Sequence, residues 1–432
     1  MDPAIITLCV LAVAAFLFIT ELIPLAVTAM AACTALGILG VLPSKQVYAG
    51  LSNSTVVLFG GMFVIGAAMF RTGLAQAIGL GVVKKAGTKE VPLMGAVMLV
   101  TIILSSVSSN TGTVACLMPV IIGICQAAKI SPSKELMPLA IAANVGGTIT
   151  MIGTPPNVIV TGALSAAGLP TFGFFEFAYI GIPLSIIILV YTLFIGRHFI
   201  PDKQAGEMDE EAVKAAAEEA GASGDSAPKS KTKMWISGII LLGVVACMAL
   251  GLKNLPLHTA AVTGAILCVI TGCLKEKEAY AGIDWVTIFL FAGMIPLASA
   301  MNTSGAGKLI AEYTVAALGG NPSPYVITAV LFILAVVLTQ FMSNTASKAL
   351  LCPVGIALAA QVGASPRAVL MAILIASSCA FASPVGTPPN TLVLGPGKYS
   401  FMDFVKCGTG LVVICLVVSI AVIPVIWPFF PN

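Results

Sequence analysis

Charge is what this chain has least of. Asp, Glu, Lys and Arg make up 9% of its 432 residues, it holds two histidines and three tryptophans, and its net charge is +3. So few charges cannot cover a water-facing surface on a chain of this length. The Lys and Arg are also dispersed, which excludes the electrostatic footprint of a nucleic-acid binder. There is no HExxH and no GxxxxGK[ST] run, so zinc-protease chemistry and ATP-driven transport have no foothold. The 11 cysteines are scattered singly, as at Cys9, Cys33, Cys116, Cys125, Cys247, Cys268 and Cys352, with no CxxC pair. They read as small core hydrophobes rather than a zinc or disulfide frame. His198 and His258 lie at opposite helix ends away from any acidic cluster, which argues against a proton relay or metal site. No nucleophile and base stand at workable spacing, so an enzyme is not expected.

What is present is hydrocarbon. Apolar residues make up 58% of the chain and the mean hydropathy is +1.05, the composition of an integral, multi-pass membrane protein. The first apolar stretch lacks a basic start and an A-x-A cleavage site, so it reads as a mature helix rather than a leader. A bilayer-crossing helix needs about 20 mainly apolar residues. On that ruler crossings are expected at 3–20, 24–42, 54–70, 136–165 and 175–196, then at 235–252, 256–274, 285–301, 367–394 and 405–428. Residues 201–233, rich in Ala, Glu, Lys, Gly and Ser, read as a solvated cytoplasmic linker between two halves.

The two halves repeat. Ser109-Asn110-Thr111 is matched by Ser343-Asn344-Thr345, and each triplet is followed by GTPPN, with 47 positions from Asn110 to Asn157 and 46 from Asn344 to Asn390. GGMF at 60–63 with Thr72-Gly73 matches AGMI at 292–295 with Ser304-Gly305. Each triplet splits an apolar segment, at 92–128 and 324–360, into arms of roughly 15 residues, which are too short to span and predict a re-entrant hairpin with the triplet at its tip. Five crossings per half is an odd number, so the second half is expected to be inverted. Lys84, Lys85, Lys89, Lys129, Lys134, Arg197, Lys203 and most later lysines then share one side, the cytoplasmic one, with both termini outside.

A doubled polar break in a membrane protein marks a transport site at a repeat interface. Pro155-Pro156 and Pro388-Pro389 remove backbone donors, and Gly153 and Gly386 permit unusual backbone. The exposed carbonyls before each break suit a small cation, and the following helix N-terminus suits an anion. Ser, Asn and Thr at the facing tip add oxygens for the cation and donors for a carboxylate. Ser52-Asn53-Ser54-Thr55 has no such partner motif and reads as a helix cap. Glu21, at a helix end, reads as a scaffold hydrogen-bonder.

The paired SNT and GTPPN motifs, with TELIPLAVTA at 20–29, resemble the divalent anion/sodium symporter family over nearly the whole chain. The resemblance implies an all-α, elevator-type homodimer. Residues 1–200 would form the first repeat, with scaffold at 1–90 and hairpin plus broken helix at 91–165. Residues 234–432 would form the second, with scaffold at 235–320 and hairpin plus broken helix at 321–395. It implies one sodium site from Ser105, Ser109, Asn110 and Gly153, and another from Thr339, Met342, Asn344 and Gly386. Substrate would meet the tips Ser109, Asn110, Thr111, Ser343, Asn344 and Thr345, with Thr154-Pro155 and Thr387-Pro388 closing the pocket. One N-terminal crossing of longer members is not found. Lys348 departs from the pattern, because Val114 holds its place in the first half. Its ammonium would pair with a substrate carboxylate, stand in for the second sodium, or snorkel outward along its helix.

The expected function is sodium-coupled import of a C4 dicarboxylate such as succinate, malate or fumarate, with sulfate or a tricarboxylate also fitting neutral donors. The alternatives are a sodium-independent dicarboxylate exchanger, the membrane subunit of a tripartite (TRAP-type) carrier, or a proton-coupled relative of the wider superfamily.

Overall fold

Apolar runs punctuated by Pro, Gly and short polar segments give helix after helix. The computed structural model describes residues 2–87, 89–154, 156–203, 230–252 and 254–430. Pro155 and most of the 201–233 linker (residues 204–229) therefore lie outside the described residues.

Twenty α-helices are described, and they fall into two sets of ten in the same order. The first set is α1 (Pro3–Thr20), α2 (Leu25–Ile38), α3 (Ser44–Val47), α4 (Ser54–Arg71), α5 (Leu74–Ala86), α6 (Glu90–Val107), α7 (Asn110–Ala128), α8 (Ser133–Gly146), α9 (Pro156–Ala166) and α10 (Ala178–Phe194). The second is α11 (Lys231–Leu250), α12 (Leu257–Ile270), α13 (Glu276–Ala281), α14 (Trp285–Thr303), α15 (Ala306–Ala317), α16 (Pro324–Phe341), α17 (Asn344–Gln361), α18 (Pro366–Ser378), α19 (Pro388–Leu394) and α20 (Phe401–Ile426). Among the described residues, eight helices are long and apolar enough to cross a membrane: α1, α4, α6, α7, α11, α14, α16 and α20. The protein is all-helical and multi-pass.

Expected crossings and observed helices agree closely, and the two long crossings with GTPPN are broken, into α8 with α9 and α18 with α19. The arms around each triplet are longer than the estimate of roughly 15 residues. They run 18 and 19 residues in α6 and α7, and 18 each in α16 and α17. The polar tip residues join the helices instead of shortening them, because Ser109 and Ser343 cap the second arm. Length alone therefore does not make these arms re-entrant.

Small residues let backbones meet. A Cβ on Gly61 in α4 would sit 2.7 Å from the Ala261 carbonyl carbon in α12, and one on Gly293 in α14 would sit 2.5 Å from that of Ala29 in α2. Gly293 follows Gly61, and Ala261 follows Ala29, by the same 232 positions. Each half thus offers its glycine to the other half's alanine, the small-residue contact by which apolar helices associate without a hydrophobic driving force. Gly73 and Gly305 take the left-handed conformation, φ 80° and 81°, and turn the chain from α4 into α5 and from α14 into α15. The expected cap also forms, with Asn53 Oδ1 accepting from Thr55 N at 2.9 Å. The cysteines are mostly buried within this core as free thiols.

Candidate substrate and cation site

Each tip is a helix junction. Ser108 and Met342 are extended at the ends of α6 and α16, and the next serine caps the following helix. Ser109 Oγ accepts from Gly112 N at 3.4 Å, and Ser343 Oγ accepts from Ala346 N at 3.2 Å. The serine hydroxyls are thus committed to their own helices. The adjacent Asn and Thr stand in the first turn of two helices, where N-terminal backbone N–H groups favour an anion. Asn110 is 8% exposed, while Thr111, Asn344 and Thr345 are half-buried.

Behind each tip lies a cradle of oxygens. Ser105 Oγ in α6 lies 2.7 Å from the Asn110 side-chain amide and donates to the Ala143 carbonyl in α8 at 2.8 Å. The second half repeats this: Thr339 Oγ1 in α16 donates to Asn344 Oδ1 at 2.5 Å and lies 2.9 Å from the Ser377 carbonyl in α18. Each partner follows its counterpart by 234 positions. The same atom of the Asn110 amide also lies 2.9 Å from the Gly153 carbonyl and 3.2 Å from that of Ala143. The amide nitrogen satisfies these oxygens by donating to them; a bound cation would turn the amide oxygen to the same place, where four oxygens would converge, the ligand set of a hard cation. Ser105, Asn110 and Gly153 are therefore brought together, and Ala143 is a fourth contributor.

Glycine is required at both breaks. A Cβ on Gly153 would meet the Gly147 carbonyl oxygen at 2.6 Å, and one on Gly386 would meet the Thr339 carbonyl oxygen at 2.4 Å. The last residue of each GTPPN holds the irregular backbone open. Asn157 Nδ2 donates to the carbonyls of Gly147 and Thr150 at 2.8 and 2.9 Å, and Asn390 Nδ2 to those of Ala380 and Ser383 at 2.6 and 2.8 Å. Those acceptors are again a constant 233 positions apart. Carbonyls at such depth survive only where something satisfies them, and the motif asparagine does so for two per half.

Sequence reasoning missed Asn144. Its Nδ2 donates to Asn390 Oδ1 at 3.0 Å and its Oδ1 accepts from Thr387 Oγ1 at 3.2 Å, so it ties the first half's α8 to the second half's break. Thr387 thereby spends its hydroxyl on the framework, while Thr154 is buried and Pro388 is exposed beside it. Nothing flagged Asn144, because it sits in the apolar run LAIAANVGG and the second half has Ser378 in its place. Lys348 lies in α17 with no exposed surface, its Nζ donating to Ser378 Oγ at 3.0 Å. It does not snorkel.

A family model described as citrate transporter (CitMHS) matches residues 15–363. An uncharacterized transporter of Haemophilus influenzae is 30% identical, over 95% of this chain and 89% of its own. The sodium-dependent dicarboxylate transporter SdcS of Staphylococcus saprophyticus is 28% identical, over 95% of this chain and 84% of its own. The crystal structure of the Alcanivorax borkumensis YdaH transporter superposes with a TM-score of 0.62 over 98% of both chains at 15% identity, which shows a shared fold.

Proposed function

The chain belongs to the citrate transporter (CitMHS) family of membrane transporters, and from that premise we propose that it imports a C4 dicarboxylate together with sodium. The observation that carries this reading is the doubled tip. Two Asn-Thr pairs, each at a helix N-terminus and each backed by the same oxygen cradle, match a ligand with one carboxylate at each end. A tricarboxylate would bring a third carboxylate to a site with two sets of donors. The relative named as a sodium-dependent dicarboxylate transporter supports the same substrate and coupling ion.

In this reading Asn110, Thr111, Asn344 and Thr345 bind the substrate, with Ser109 and Ser343 presenting them and Thr154, Pro155, Thr387 and Pro388 shaping the pocket. Sodium, as cargo, is held at the first cradle by Ser105, Ser109, Asn110 and Gly153, and the second cradle is built from Thr339, Met342, Asn344 and Gly386. Binding cation beside anion offsets the charge of a dianion at membrane depth, where an unpaired charge is expensive. The halves form an inverted repeat, a reading supported by the reciprocal Gly61–Ala261 and Gly293–Ala29 contacts. The segments 91–165 and 321–395 move as one transport domain against a scaffold of 1–90 and 235–320, in a homodimer. The surface between α9 and α14 suits sliding, because the residues that line the gap there, Val158, Ile159 and Ala163 with Phe291, Met294 and Ile295, are all apolar.

The test is the purified chain alone in liposomes, with labelled succinate outside. Uptake driven by an inward sodium gradient and not by potassium, competed by malate and fumarate more than by citrate or sulfate, is the expected result. Uptake only into vesicles preloaded with dicarboxylate and indifferent to sodium would replace symport by exchange. Absence of transport without an added binding protein would favour a tripartite carrier.

A further inference from the structure

Among the described residues, Lys348 and Glu135 are the two charged side chains with no exposed surface. Lys348 stands four residues beyond Asn344, on the same face of α17 and about 6 Å deeper along the helix. Its ammonium has three donors. Among the described residues one partner takes them, the Ser378 hydroxyl, which itself donates to the Leu374 carbonyl at 3.0 Å. The adjacent residue, Ser377, lends its carbonyl to Thr339 of the second cradle. The lysine and the cradle are thus held by consecutive residues of α18. Among the described residues, the hydroxyls of Ser347 and Ser377, which precede Lys348 and Ser378 in the chain, are fully buried and lack partners, and no carboxylate pairs with the amine.

The first half has no such charge. Val114 occupies the position of Lys348 and Asn144 that of Ser378, and among the described residues no cationic side chain bonds to Ser105, Asn110 or Gly153. The two cradles share three matched oxygens, from Ser105 and Thr339, Asn110 and Asn344, and the Ala143 and Ser377 carbonyls, and differ in their charge. Depth separates the remaining roles of the amine. Of the tip residues that would meet a substrate, Thr111, Asn344 and Thr345 are half-buried and Asn110 keeps 8% of its surface exposed, whereas Lys348 has none.

We propose that the Lys348 ammonium is a tethered cation serving the second cradle, so that exchangeable sodium binds only at the first, around Ser105, Asn110 and Gly153. The proposal rests on the sodium-coupled reading above. Like charge next to the second cradle lowers its affinity for sodium on the order of tenfold or more, and the buried amine supplies the positive charge that a second ion would bring. A cycle then moves one sodium per chain with each dianion.

Equilibrium binding of radiolabelled sodium to the purified full chain, with saturating succinate, reads this directly. The wild type is expected to bind one sodium per chain, Lys348→Met two, and Lys348→Arg one. Two ions on the wild type, or an unchanged count in a folded Lys348→Met, would overturn the proposal. If Lys348→Met does not fold, Lys348→Gln takes its place, and the wild-type count still decides. A wild type that binds no sodium and takes up succinate regardless would instead overturn the coupling reading, an outcome distinct from a count of two.

Discussion

Asn110 and Asn344 each sit at the first turn of a helix and reach back to a hydroxyl on the preceding arm, at 2.7 and 2.5 Å. One side chain therefore links tip to cradle, and its loss removes both a substrate donor and a cation oxygen. Asn110→Ala is expected to weaken succinate binding by about 1.5–3 kcal/mol, roughly tenfold to a hundredfold, the worth of a hydrogen bond to a charged group. Sodium activation of that variant should shift to higher concentration, as measured by uptake at graded sodium. Ser105→Ala leaves the tip intact and removes only the back bond, so the sodium dependence is expected to move more than the succinate affinity. Asn110 and Asn344 were legible in the sequence because a polar triplet in hydrocarbon stands out twice over, whereas Ser105 was implied only by the family resemblance. Asn144, Ser377 and Ser378 were not, since each lies inside an apolar run and the halves differ at the 144/378 pair.

At the scale of elements, the breaks depend on the absence of a side chain. Gly386→Ala places a methyl 2.4 Å from the Thr339 carbonyl oxygen, so α16 and the 380–387 segment must separate. Lost uptake with a thermal midpoint within a few degrees of wild type is expected, as the strain is local to the site; overpacking of this kind costs about 1–3 kcal/mol. Gly293→Val acts elsewhere, forcing α14 away from α2 at the Ala29 backbone. Its expected effect is a lower thermal midpoint in detergent and reduced recovery as a monodisperse species. Crossings were readable from hydropathy, and helix breaks from Gly-Thr-Pro-Pro. The arm lengths were underestimated because the sequence does not say that a triplet serine will cap a helix instead of ending it. Helices α5 and α15 escaped the reading because they are 13 and 12 residues long, too short to register on a bilayer ruler.

For the whole molecule, the elevator reading requires the α9 surface to move past α14. Gly162 of α9 faces Ile295 of α14, with an added Cβ 3.5 Å from the isoleucine side chain. Gly162→Cys with Ile295→Cys, bridged by a short bifunctional reagent that joins the two thiols through reducible disulfide bonds, should lock the two surfaces together. Uptake is then expected to stop and to return on reduction. Full uptake by a completely cross-linked protein would mean that these surfaces do not slide.

The central claim is that the two halves together build one dianion site coupled to sodium. Equilibrium binding of labelled succinate to the purified protein, in sodium and in potassium, tests it most directly when wild type, Asn110→Ala and Asn344→Ala are measured side by side. The account predicts one succinate per chain in sodium, much weaker binding in potassium, and a loss of affinity from either substitution alone. Equal binding in both salts, or full affinity in either variant, would contradict it.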